Sequence, residues 1–287
     1  NATWPLHGGI LAWLRCPCCV GLRYGPIAMD SLTQVALGSA VGFAIGGRRL
    51  GRKAMVWGGV LGLLPDLDVL IPMGDAVADF TYHRSWSHSL LVMALATPPL
   101  AGCARRLHGG PARDRWHWWA LVAGALWTHA LLDAFTVYGT QLLWPFPFPP
   151  TSWSTIFIID PLYTLPLLIG CWLGWRRYGT SPGKALWANA LGLLLSTSYL
   201  GVTVLAKWRV DQAVVRAIDA EGLEGARYIT TPMPLTALLW RVVVLDHNHE
   251  RYHEGFYSVV ADDEVRFQAF DRSPQWSAKL PDPAAYE

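Results

Sequence analysis

Charge is scarce in this chain. Only 15% of its 287 residues are Asp, Glu, Lys or Arg, and 52% are hydrophobic; an ordinary soluble domain carries about 25% charged residues. The net charge is +2, and no basic stripe with interleaved aromatics appears, so nucleic acid is excluded as an expected partner. Cysteine is sparse as well. Cys16, Cys18 and Cys19 crowd near the start and Cys103 and Cys171 lie in apolar stretches. No second Cys or His cluster at zinc-finger spacing follows the first three. The sequence also lacks a His-Glu-x-x-His pair, a Gly-x-Ser-x-Gly elbow, a phosphate-cradling loop and a Rossmann fingerprint. No internal repeat or low-complexity tract stands out.

What is abundant is apolar sequence, with 16 tryptophans and a mean hydropathy of +0.25. The pattern predicts a mostly α fold. Its core would be a polytopic transmembrane helix bundle of about six spans, at 32–47, 54–72, 86–104, 116–136, 156–175 and 185–206, most near the roughly 20 residues that cross a bilayer. The second is proline-broken, because Pro65-Asp66-Leu67-Asp68 interrupts the apolar run 54–64. Such a break is tolerated at membrane depth only where protein or water satisfies the freed backbone. Arg48, Arg49, Arg52, Lys53, Arg105, Arg106, Arg113, Arg115, Arg176, Arg177 and Lys184 fall in alternate loops, while the intervening loops hold only Arg84. Positive residues mark the cytoplasmic side, so both termini are expected outside the cytoplasm. Residues 1–28 read as a dispensable N-terminal extension and 29–206 as the transmembrane metal-site domain. Residues 207–287 read as a small extracytoplasmic α+β domain. That domain combines an amphipathic helix at 209–224, a linker through Thr231-Pro232-Met233-Pro234, and three strands at Leu239–Leu245, 255–260 and 265–270.

Against this background, six ionisable side chains are out of place: Asp66, Asp68, His83, His88, His129 and Asp133. Each costs roughly 2.5–3.5 kcal/mol inside a membrane span on insertion scales, so such a group faces a protein interior and has a task. With alternating spans, all six reach the same outer end. His129 and Asp133 are four apart and share one helix face. Mixed imidazole and carboxylate ligands suit Zn²⁺, Mn²⁺ or Fe²⁺ better than Mg²⁺ or Ca²⁺, so a divalent metal is the expected cofactor. Asp160, before Pro161, reads equally as a helix cap or as a group near the metal, and Asp30 has the same two readings with the cap favoured. Arg84 reads as a clamp for an anionic substrate group or an anchor to lipid phosphate. Tyr138-Gly139-Thr140-Gln141 and Trp144-Pro145-Phe146-Pro147-Phe148 suggest an interfacial lid in an aromatic belt. His247, His249 and His253 read as a solvated turn rather than a second metal site. Ser87 and Ser89 read as bundle hydrogen bonds rather than as nucleophiles.

The stretches Met29-Asp30-Ser31-Leu32-Thr33-Gln34, Gly62-Leu63-Leu64-Pro65-Asp66-Leu67-Asp68, His83-Arg84-Ser85-Trp86-Ser87-His88-Ser89 and His129 through Asp133 to Tyr138-Gly139-Thr140-Gln141 resemble the YdjM-like inner-membrane, metal-dependent hydrolase family, which includes LexA-regulated bacterial proteins. The resemblance implies the bacterial inner membrane and a bound metal. Gln34 stands where relatives often carry His. The combined expectation is a membrane-embedded hydrolase in which metal-activated water attacks an ester or phosphoester of an amphiphilic or lipid-linked substrate. Asp68 or Asp160 would take the proton and Arg84 would stabilise developing charge. Membrane lipids would be its partners. The competing expectation is a non-catalytic membrane protein, either a divalent-cation transporter or a structural scaffold. Conduction is disfavoured by the almost wholly apolar inner halves of the expected spans.

Overall fold

Prolines, glycines and the polar ends of apolar runs set the architecture of the computed structural model. It describes residues 27–71, 83–108, 114–223, 225–246, 251–261 and 264–271. Among them are six α-helices: α1 (Ile27–Leu50), α2 (Arg52–Leu63), α3 (Leu90–Leu107), α4 (Arg115–Phe135), α5 (Pro161–Arg177) and α6 (Pro182–Ala220). Two 3-10 segments, Pro65–Leu70 and Trp86–His88, lie between α2 and α3. The strands β1 (Arg227–Pro232), β2 (Leu239–Leu245), β3 (Arg251–Ser258) and β4 (Arg266–Asp271) complete the described chain.

The first two helices form a hairpin. Gly51, at φ +64, takes the left-handed conformation that lets the chain reverse in one residue. The two helices then touch backbone to backbone. A Cβ on Gly38 or Gly58 would run into the other residue's carbonyl oxygen, and one on Gly62 would come within 2.5 Å of the Gln34 carbonyl oxygen. Close approach through small residues is how helices pack without a hydrophobic driving force. α2 stops just before Pro65, whose ring and missing N–H end an α-helix. α4 is the central helix: Trp118, Leu121, Val122, Ala125, Leu126 and Ala130 are buried in a cluster shared with Ala54 and Leu61 of α2 and Met93 and Ala101 of α3. Two buried polar bonds fasten α6 to the bundle. Asn189 Nδ2 donates to the Ala40 carbonyl at 2.8 Å and Ser196 Oγ to the Tyr163 carbonyl at 2.7 Å.

The expected six-span bundle is not what the chain forms. α2 has 12 residues, about 18 Å of helix against a hydrocarbon core of about 30 Å. α3 contains Pro98 and Pro99, and α5 has 17 residues. Among the described residues only Pro182–Ala220 is long and apolar enough to cross a membrane, judged by length and composition. The apolar runs outlast the helices: the second continues past Pro65 and the fifth begins in non-helical chain before Pro161. Much of the apolar surface of α4 faces other helices.

α6 corrects a second expectation. It runs unbroken for 39 residues where a span and a separate amphipathic helix were expected. No Gly or Pro interrupts it between Val202 and Ala220, and Lys207 is matched by Asp211 one turn on, at 2.7 Å. Its last turns carry the sheet, which is antiparallel throughout in the order β1-β2-β3-β4. β2 alternates outward and inward residues and lays Trp240, Val242 and Val244 against Val210, Val214 and Ile218 of α6. The sheet has four strands rather than the expected three. β1 pairs Arg227 with Leu245 through Pro232 with Trp240, so Thr231 and Pro232 belong to an edge strand rather than a linker, and an edge tolerates proline. Cys16, Cys18, Cys19, most of the expected extension 1–28, Arg113, His247, His249 and the Asp30 side chain lie outside the described residues.

Candidate metal centre

Four side chains from three separate segments meet at one end of the bundle. Asp66 comes from the 3-10 segment after α2, His88 from the 3-10 turn before α3, and His129 and Asp133 from the last turns of α4. All four are buried, and one donor atom from each lies within 4.8 Å of the others. His88 Nε2 is 3.0 Å from His129 Nε2, 3.4 Å from Asp66 Oδ1 and 3.0 Å from Asp133 Oδ2. His129 Nε2 is 3.4 Å from Asp66 Oδ1 and 3.6 Å from Asp133 Oδ2. Metal–ligand bonds of about 2.0–2.1 Å in tetrahedral array place neighbouring donors about 3.3 Å apart, within the spread of these distances.

The surroundings support the same chemistry. His129 Nδ1 lies 2.7 Å from the Gly62 carbonyl oxygen. A carbonyl only accepts, so Nδ1 carries the hydrogen, and in the neutral ring Nε2 presents a lone pair to the cluster. Gln34 Nε2 donates to Asp133 Oδ1 at 2.7 Å and so orients that carboxylate. The Gly-faced contact of α1 with α2 sets both bonds, because it seats Gln34 against Gly62. Asp66 Oδ2 and Asp133 Oδ2 are buried without a hydrogen bond, although Asp133 Oδ2 has His88 Nε2 at 3.0 Å and the Arg84 guanidinium at 3.4 Å beside it. Buried carboxylate oxygens in that condition are costly unless a cation completes their shell. Two imidazole nitrogens and two carboxylates in this spacing could hold a metal ion.

The other two expected ligands stand one layer out. Asp68 accepts from Ser87 Oγ at 2.5 Å, sits 2.8 Å from His83 Nδ1, and takes the Arg84 N–H at 3.3 Å. Its Oδ2 is 3.8 Å from His88 Nδ1, so it touches the back of a ligand and is outside the group of four. Burial would raise the Asp68 carboxyl. Hydrogen bonds from His83 and Ser87 outweigh burial and hold it below the ordinary carboxylate range. Arg84, at φ +63, is buried. Its Nη1 donates to Thr136 Oγ1 at 3.0 Å and its guanidinium lies 5.5 Å from the Tyr138 ring centre.

Asp160 is occupied elsewhere. It caps α5 through the Leu162 N–H at 2.9 Å and accepts from Tyr199 Oη of α6 at 2.6 Å. Burial pushes its carboxyl above the usual range despite these bonds. The chain between α4 and α5 closes over the cluster: the Gln141 N–H donates to the Arg84 carbonyl and the Leu90 N–H to the Leu142 carbonyl, both at 3.0 Å. Its Tyr138, Trp144, Phe146, Phe148 and Trp153 are exposed. Sequence reasoning expected a bundle hydrogen bond from Ser87, and it bonds Asp68; it missed the roles of Gln34 and of the Gly62 carbonyl. Gln34, fully buried in an apolar helix, was the available signal, whereas a main-chain carbonyl leaves none.

The family model described as YdjM inner membrane protein matches residues 29–210, a stretch that contains all four clustered residues. Inner membrane protein YbcI of Escherichia coli (strain K12) is 30% identical over 119 residues, which is 40% of this chain and 66% of that protein. No solved structure matches. A match over more than half of its length, centred on the segments that build the cluster, makes this chain a member of the YdjM family of inner membrane proteins.

Proposed function

We propose that the protein is a metal-dependent hydrolase of the inner membrane that cleaves an ester or phosphoester of an amphiphilic or lipid-linked substrate. One observation carries the reading: two imidazole Nε2 atoms and two carboxylates converge within 4.8 Å while one oxygen of each carboxylate has no hydrogen bond. A divalent ion held by Asp66, His88, His129 and Asp133 would supply Lewis acidity and a nucleophile drawn from water near neutral pH. Both oxygens of Asp68 and of Asp160 are engaged by other donors. Arg84, with Nε 3.4 Å from Asp133 Oδ2, brings a fixed positive charge against which negative charge on the substrate would be stabilised.

The substrate class is supported by the surroundings. Leu67, Val69, Leu70, Ile71 and Trp86, next in sequence to the cluster, are exposed along with the aromatic residues of the α4–α5 connection. An apolar rim around a buried polar site favours a molecule presented from the bilayer surface. The basic residues Arg48, Arg49, Arg105, Arg106, Arg176 and Arg177 occupy the last turns of α1, α3 and α5. The cluster lies at the opposite helix ends. With Pro182–Ala220 as the candidate span and Arg176, Arg177 and Lys184 around its start, the positive-inside rule supports the cluster end and the sheet facing away from the cytoplasm.

Metal analysis of the purified full-length chain in detergent tests the reading. Wild type is expected to hold one equivalent of Zn, Mn or Fe, while His88→Ala and Asp133→Ala lose it. Equal, near-zero metal in all three proteins would overturn it in favour of a scaffold whose polar groups hold helices together.

A further inference from the structure

We propose that Ser87 and Asp68 are positioning residues that lock the His88 imidazole into the tautomer that can bind metal. This inference rests on the metal-site reading above. Ser87 Oγ sits between two partners, Asp68 Oδ2 at 2.5 Å and His88 Nδ1 at 2.9 Å. A carboxylate can only accept, so the single hydroxyl hydrogen of Ser87 goes to Asp68. The hydroxyl oxygen is then free only to accept, and His88 Nδ1 must donate to it. In a neutral ring that leaves the lone pair on Nε2, the atom 3.0 Å from both His129 Nε2 and Asp133 Oδ2. The two imidazoles thus point lone pairs at one another, an arrangement that repels unless a positive charge lies between them.

The two ligands are oriented by different means. His129 is fixed by a main-chain carbonyl, that of Gly62. His88 is fixed by a side-chain relay. Asp68 is itself held in place by the Arg84 N–H at 3.3 Å and by His83 Nδ1 at 2.8 Å. His83 is the partly exposed end of the chain, with 32% of its side chain open. Order therefore passes from His83 through Asp68 and Ser87 to His88, in series.

Series connection makes a prediction that two independent roles do not. Loss of an outer partner of a ligand imidazole weakens metal affinity by about 10–100-fold. Ser87→Ala and Asp68→Asn are each expected to weaken Zn²⁺ binding to the full-length protein by that amount, read by competition with a chromophoric chelator. The double variant is expected to be no weaker than the weaker single one, whereas independent contributions would multiply to about 10²–10⁴-fold. Ser87→Thr keeps the hydroxyl and should stay within about threefold of wild type.

Each alternative result has one meaning. Wild-type protein that binds no Zn²⁺ would remove the metal site itself. Tight wild-type binding that Ser87→Ala leaves unchanged would remove only the relay. Multiplicative losses in the double variant, or a Ser87→Thr loss equal to that of Ser87→Ala, would also overturn the relay.

Discussion

Replacing Gly62 by Ala should weaken metal binding without touching any ligand. A Cβ at this position would stand 2.5 Å from the Gln34 carbonyl oxygen and 3.2 Å from the Gly38 Cα. Both obstacles are main-chain atoms, so no side chain can swing aside. Ordinary contact begins near 3.4 Å, and in a close-packed interface α1 and α2 must then part by about 0.9 Å. The His129 Nδ1 bond to the Gly62 carbonyl, now 2.7 Å, would stretch toward about 3.6 Å, which is no longer a hydrogen bond. The same displacement carries Gln34 away from Asp133 Oδ1. The parting of about 0.9 Å is shared between the two helices, so loss of one outer partner, worth about 10–100-fold in affinity, predicts a Kd for Zn²⁺ raised by about that amount. Overpacking should also lower stability by about 1–3 kcal/mol. Gly102→Ala is the control: nothing lies within 4 Å of its Cβ position, and in a helix the change should be neutral or stabilising by up to about 1 kcal/mol. Chelator competition and thermal melting of the detergent-solubilised protein read both quantities. Gly62→Ala binding Zn²⁺ within about threefold of wild type would refute the claim that the helix contact sets the ligand geometry.

Other outcomes follow from single contacts. Gln34→Leu removes the 2.7 Å donor to Asp133 Oδ1 and should weaken Zn²⁺ binding by about tenfold; an unchanged titration would show that Gln34 does not orient the carboxylate. Tyr199→Phe takes the 2.6 Å donor from Asp160 and leaves a poorly solvated carboxylate, so stability should fall by about 1–3 kcal/mol with metal content unaltered. Because the Asp68 carboxyl is depressed below 3.8 in the folded protein, the stability it contributes is complete above that pH and is lost as the pH falls through the lowered value. Wild type should therefore exceed Asp68→Asn in melting temperature by a constant margin near neutrality, and that margin should vanish in strong acid.

Most of the site was readable from residues, and most of the bundle was not. His129 and Asp133, four apart on a helix, announce a shared face, and Pro65 announces that α2 breaks where Asp66 and Asp68 leave it. His83 and Asp68 were misjudged as ligands because chain proximity cannot say which carboxylate turns inward. Asp66 points into the cluster while Asp68, two residues on, points to Ser87. The span count failed for a different reason. Apolar residues such as Leu121 and Leu126 of α4 are buried against other helices, and hydropathy does not distinguish a neighbouring helix from lipid. β1 was hidden because Arg227, Tyr228 and Ile229 all face outward, so the strand has no alternating signature. Residues 251–254 were absorbed into a presumed histidine turn although Tyr252 stacks on Phe270 across the β3–β4 pair. The α6 helix continues past Lys207 because the Asp211 and Thr230 side chains receive its ammonium group, a compensation visible only in three dimensions.

That continuous α6 makes the molecule a mast on a plinth. Its 39 residues give a rod of about 58 Å whose lower part is a wall of the bundle and whose upper part carries the sheet. There is no glycine or proline in its upper half to act as a hinge. The turns that carry the sheet and Tyr199, whose hydroxyl bonds Asp160 at the start of α5, thus belong to one helix, with Gly201 the single glycine between them.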